Sequence, residues 1–168
     1  GREHSFPTRR SSDLEQLRLR EQELDEQVKT RTAALAASEE RFARLFNSSP
    51  VGIILTRLSD GSYLEVNDAF AALIGWGHEE LIGRTSVELG IISPADRLRL
   101  TDTLQEQGHL RGLDLVLHTK GGDGLYTLYA IELIDFAGEP CLLSSVVDIT
   151  ARKQVEAAIE AALAREKE

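Results

Sequence analysis

The sequence predicts an α+β domain, a five-stranded antiparallel sheet with helices on one face, set between two long helices. Three observations predict it. Apolar residues recur at helical spacing before residue 47 and after residue 150; the runs between them read strand, strand, helices, then three strands; and short turn sequences join the strands into hairpins. The chain has 168 residues, 42% of them apolar, which suffices for one domain of ordinary size with a real core.

Residues 15–46 contain no proline or glycine and are mostly strong helix formers, so they predict one long helix. Placing Glu21, Val28, Leu35 and Phe42 at a positions and Leu17, Leu24, Arg31, Ser38 and Leu45 at d positions leaves an interrupted apolar seam. That seam predicts a parallel coiled-coil linker, with Leu17, Leu24, Val28, Leu35 and Phe42 as its contacts. A solitary amphipathic helix folded onto its own domain is the alternative.

Asn47-Ser-Ser-Pro50 predicts the end of that helix, because the residue before a proline is pushed out of helical geometry. Residues 47–150 then form the globular block. Val51–Leu58 and Tyr63–Val66 read as a hairpin around Ser59-Asp-Gly-Ser62. Asn67 is placed to cap a short helix over Ala69–Ile74, closed by Gly75. Glu79–Ile82 makes a further helical turn, and Pro94–Gln107 a third helix with proline at its start and Gly108 at its end. Leu110–Thr119, Leu125–Phe136 and Pro140–Asp148 are three strands. The last two carry apolar residues on both alternations, so the second sheet face is expected to be covered by a flanking helix or a partner subunit. Residues 151–168 predict a closing helix capped by Thr150, joined to the sheet without a flexible linker.

The formal charge is −9, from 19 basic and 28 acidic residues spread along the chain, which argues against nucleic acid as a partner. The single cysteine, Cys141, excludes an internal disulfide and fits a reducing compartment. No apolar run approaches the roughly 18 residues of a spanning helix. This fits a cytoplasmic location and no membrane contact by the chain itself, whether or not its parent protein is membrane-anchored.

Several stretches resemble the PAS family: Glu40-Arg-Phe-Ala-Arg-Leu-Phe-Asn-Ser-Ser-Pro-Val-Gly-Ile53, Asp60-Gly-Ser-Tyr-Leu-Glu-Val-Asn-Asp-Ala-Phe70, Leu73-Ile-Gly-Trp76 and Glu79-Glu-Leu-Ile-Gly-Arg84. Gly138-Glu-Pro-Cys-Leu-Leu143 and Asp148-Ile-Thr-Ala-Arg-Lys153 resemble the close of the same family, where an Asp-Ile-Thr motif joins the last strand to a signalling helix. The likeness runs in order over residues 39–155. It implies a five-stranded sheet cupping a small cavity, a homodimer formed through the flanking helices, and a sensing or relay role in a bacterial signal-transduction protein. Val28–Leu35 is similar to linkers of sensor kinases, and Ala161–Glu168 to the lead-in of a histidine kinase's dimerising helix. A downstream output domain is thereby implied, with a histidine kinase first and a diguanylate cyclase second.

The N-terminal segment His4-Ser-Phe-Pro-Thr-Arg-Arg-Ser-Ser-Asp-Leu14 resembles a translated sequencing adapter. Residues 1–14 are accordingly read as an artefactual leader, the natural protein continuing upstream, with a genuine basic leader as the alternative.

No catalytic constellation can be assembled, so the chain itself is not expected to be an enzyme. His78-Glu79 lacks the threonine-proline of a phosphoacceptor motif, and a zinc-protease helix would need histidine where Ile82 stands. Haem is disfavoured because Pro94–Gln107 contains no histidine, His109 and His118 lying outside it. Covalent flavin chemistry is disfavoured because Cys141 lies outside the Asn-Cys-Arg motif that the resemblance implies; it reads as a small buried apolar residue. No metal site is expected, and no cofactor is the expectation overall. Trp76, Arg84 and Tyr129 are the candidates for lining a cavity, with a core role for Trp76, its indole donor satisfied, as the alternative. Asp148, as acceptor of a buried or half-buried hydrogen bond, Thr150 as helix cap and Arg152 as a charged contact form the expected signal junction. If the cavity is filled by the protein's own side chains, a ligand-free dimerisation adaptor is the remaining reading.

Overall fold

A computed structural model of the chain describes residues 9–167. Two compact units result, one ending at Leu45 and the other beginning at Phe46. The described part of the first, residues 9–45, is helical and belongs to α1 (Arg9–Ser48), which contains no buried residue. Leu17, Leu24, Val28, Leu35 and Phe42 are each more than half exposed in the single chain. The helix already includes residues 9–14, ahead of the expected Glu15, since nothing between them breaks it. Residues 1–8 of the leader lie outside the described residues.

The second unit is an α+β domain. β1 (Gly52–Arg57) and β2 (Tyr63–Val66) form the hairpin. Its turn is held by the Asp60 carboxylate, which accepts the Ser62 N–H at 2.9 Å and the Ser62 hydroxyl at 2.7 Å. Then come α2 (Asp68–Ile74), α3 (His78–Leu81) and α4 (Pro94–Gln107). Strands β3 (His109–His118), β4 (Gly124–Phe136) and β5 (Glu139–Asp148) follow, and α5 (Thr150–Glu166) closes the chain. The sheet order is β2-β1-β5-β4-β3, every pair antiparallel. The last strand is thus inserted beside the first, which brings residues far apart in sequence to one face.

Period-two alternation decides which face is dry. Ile54, Leu115, Tyr129, Ile131, Leu142 and Val146 point to the side on which α2 and α4 pack, where Phe70, Ile74, Ile91, Leu100 and Leu104 meet them. Burying each large apolar side chain of this set contributes on the order of 2 kcal/mol. On the opposite face, Tyr126, Phe136, Leu143 and Val147 remain exposed in the single chain. That face is as apolar as the alternation predicts.

Asn67 holds the entry of the domain together. It is fully buried and caps α2, its Oδ1 accepting the Phe70 N–H at 3.1 Å and the Ile53 N–H at 2.9 Å. Its Nδ2 donates to the carbonyls of Phe46 and Val51, both at 2.9 Å. The expected cap is therefore present, and it carries three further bonds that tie the end of α1 and strand β1 to α2.

Candidate functional site

Two places in the domain have the make-up of a working site: a cavity between the sheet and α4, and the junction where the sheet becomes α5.

The cavity is small, about 20 Å³. β1, β4 and β5 present Thr56, Tyr129 and Ser144, β2 presents Tyr63, and Ser86 and Arg97 close the other side. Arg97, on α4, passes beside Gly61 of the β1–β2 turn: a Cβ there would lie 3.1 Å from a guanidinium nitrogen. Gly61 also has φ +76°, so two constraints favour glycine at this point. Burial pushes the Tyr63 and Tyr129 hydroxyls well above the ordinary tyrosine range, the Arg97 charge opposing this for both and the Ser86 hydroxyl for Tyr63. Desolvation likewise lowers Arg97, against the pull of the tyrosines and Asp60.

Of the three residues expected to line this cavity, only Tyr129 does so. Arg84 is exposed and pairs with Glu88 one turn on, which satisfies its charge at the surface. Trp76 packs against the core from α2's exit, with Lys120 Nζ 5.0 Å from its ring centroid. Its indole Nε1 is buried with no hydrogen-bond partner among the described residues, so the expected satisfied donor is corrected. Arg97, Tyr63, Thr56 and Ser144 were not singled out from sequence. Arg97 carries no local signal, since its role depends on α4 lying over a hairpin more than thirty residues earlier.

At the junction, the Thr150 hydroxyl accepts the Tyr126 N–H of β4 at 3.1 Å and donates to Asp148 Oδ1 at 2.6 Å. The same carboxylate oxygen accepts the Thr150 N–H at 2.9 Å, and the Ile149 N–H donates to the Tyr126 carbonyl at 2.8 Å. Three expectations change here. Asp148 accepts in an exposed position, where a buried or half-buried bond was expected. Thr150 is the first residue of α5, the cap position falling to Ile149, which makes no side-chain cap bond. The Thr150 hydroxyl is spent on β4 and Asp148 instead. Arg152 points away and pairs with Glu156 at 3.4 Å along α5. The charged contact to the sheet is made by its neighbour, Lys153, whose Nζ lies 3.2 Å from Asp114 Oδ2 of β3. Between α5 and the outward face of β3 and β4 runs an open groove of about 560 Å³, lined in part by Val116, Tyr126 and Ala157.

A profile of the PAS domain family matches residues 40–107. Among solved structures, the chain is similar to the PAS domain of an HTR-like protein from Haloarcula marismortui, at 24% identity and a TM-score of 0.63, over 72% of this chain and 99% of that one. It is similar to a PAS domain of a two-component sensor histidine kinase, at 14% identity and a TM-score of 0.58, over 67% and 98% of the two chains. A domain of a sensory box sensor histidine kinase/response regulator from Geobacter sulfurreducens is similar at 22% identity and a TM-score of 0.54, over 68% and 96%. The chain folds as a PAS domain.

The profile match ends at Gln107, so the last three strands of the PAS fold rest on the structural likeness and on their own pairing. Within this fold His109 and His118 sit exposed at the two ends of β3, and neither lines the cavity. His78 is exposed at the start of α3. Cys141 is buried in β5, and desolvation raises its thiol above the ordinary range. None of the described helices is long and apolar enough to cross a membrane.

Proposed function

We propose that this PAS domain is a sensory or signal-relay and dimerisation module of a bacterial signal-transduction protein, in the first place a sensor histidine kinase. The observation that carries this reading is the junction. The closing helix is bonded to β4 through Thr150 and Tyr126 and to the edge strand β3 through Lys153 and Asp114, with only Ile149 between strand and helix. A shift in sheet twist or in cavity contents has to move the start of α5, and a helix pair beyond it is the bistable element such a shift would bias. In this reading the protein is a homodimer through its flanking helices, the chain itself performs no catalysis, and the output domain lies downstream in a cytoplasmic part of the parent. A diguanylate cyclase output is the alternative within the same class.

The adaptor reading is favoured by one observation of its own. A cavity of about 20 Å³ holds little more than a water molecule, its space being taken by Tyr63, Tyr129 and Arg97. The experiment that separates these readings is to measure output activity of the parent protein carrying Asp148→Ala. Lost regulation with a folded sheet supports relay through the junction; unchanged regulation supports an adaptor whose only task is to pair the chains.

A further inference from the structure

The geometry points to a small-anion site in the cavity, at the Arg97 guanidinium, for a monoanion of formate or nitrite size. As the stimulus of the module this rests on the sensory reading above; as binding it stands on the cavity alone. Arg97 is half-buried, yet among the described residues it forms no ion pair within 4.0 Å and no side-chain hydrogen bond. The nearest acid, Asp60, is already engaged by the Ser62 N–H, the Ser62 hydroxyl and Arg57. A desolvated guanidinium lacking a carboxylate is a costly arrangement, and its five donors match a planar oxyanion.

The rest of the lining suits the same ligand. Tyr63 and Tyr129 stay neutral and keep hydroxyl donors, and Thr56 and Ser144 add further hydroxyls, Ser86 being engaged with Tyr63, while no carboxylate lines the cavity to repel an anion. The volume limits the size. At about 20 Å³ the cavity as it stands holds little more than one water, so a planar three-atom anion enters only as the Arg97 side chain swings outward, and nothing larger is accommodated. Gly61 lets the guanidinium lie close against the hairpin, since a Cβ there would come within 3.1 Å of one of its nitrogens.

The test is a titration of the isotopically labelled full chain with sodium formate, ionic strength being held with sodium sulfate, followed by amide and arginine side-chain resonances. Saturable shifts are expected at Gly61, Tyr63, Arg97 and Tyr129. Arg97→Gln should weaken the affinity about tenfold or more, as loss of a charged hydrogen-bonding partner does, and Arg97→Lys should keep part of it. No saturable shift in the native chain, the same shifts with sulfate alone, or an affinity unchanged in Arg97→Gln overturns the site. If Arg97→Gln fails to give a dispersed spectrum, the native and Arg97→Lys titrations decide. Light scattering on the same sample separates the two claims: a dimer that binds no formate removes only the anion site, and a monomer removes the dimeric relay.

Discussion

Thr150 and Tyr126 are joined by a 3.1 Å hydrogen bond from the strand's N–H to the threonine hydroxyl, so the first residue of the closing helix is anchored on β4. Replacing the hydroxyl by a methyl in Thr150→Val keeps the shape, leaves that N–H without its partner and reduces Asp148 Oδ1 to the bond from the Thr150 N–H. We expect the sheet to stay folded and the amides of Tyr126 and Ile149 to exchange about tenfold faster, the equivalent of roughly 1.4 kcal/mol of local stability. Lys153→Ala should cost less than about 1 kcal/mol, because its bridge to Asp114 is solvent-exposed.

Asn67→Ala should be the most damaging single change at the domain's entry. It removes the α2 cap, takes the side-chain partner from the Ile53 N–H and takes one donor each from the carbonyls of Phe46 and Val51. The expected loss is about 3 kcal/mol, read as a fall in the urea midpoint with an unchanged slope.

The cap of α2 was legible in the sequence because a cap is a local device: Asn67 precedes an apolar helical run by one residue. The hairpin turns, the glycine that closes α4 and the strand alternation are local in the same sense. The cavity was not legible. Arg84 reads like a residue beside a ligand until its i+4 neighbour, Glu88, takes its charge. Arg97 reads like one more surface arginine of α4 until the topology lays that helix over the β1–β2 turn. The Asp-Ile-Thr run marked where β5 passes into α5, but its side-chain partners were misassigned, since the β4–β5 register decides which backbone groups face Thr150. The outward apolar face and the seam of α1 were both visible as patterns.

Dimerisation through α1 predicts that Leu24→Asp or Leu35→Asp weakens association, because each places a charge in the seam. Light scattering should show a shift from dimer toward monomer at a concentration where the native chain is paired. Unchanged mass would rule out that seam.

Tyr63 and Tyr129 make stability depend on alkaline pH. Burial raises both hydroxyls above the ordinary value of 10.0, so above that pH the unfolded chain releases protons that the folded chain retains. Stability should be constant with respect to these groups below pH 10 and fall as pH rises beyond it, by up to about 1.4 kcal/mol per pH unit for each tyrosine. Denaturation midpoints measured on either side of pH 10 should show that fall, and the Tyr63→Phe, Tyr129→Phe double variant should lack it.

The central claim is that the sheet and the closing helix move as one mechanical unit through Asp148 and Thr150. Hydrogen exchange of the native chain and of Asp148→Ala tests it most directly, read amide by amide along β4 and α5. The account predicts that Asp148→Ala raises exchange at Tyr126, Ile149 and the first turn of α5 together, while Ile131 and Ser144 in the sheet interior keep their protection. Unchanged protection across the junction, or loosening confined to α5 with Tyr126 unaffected, would contradict it.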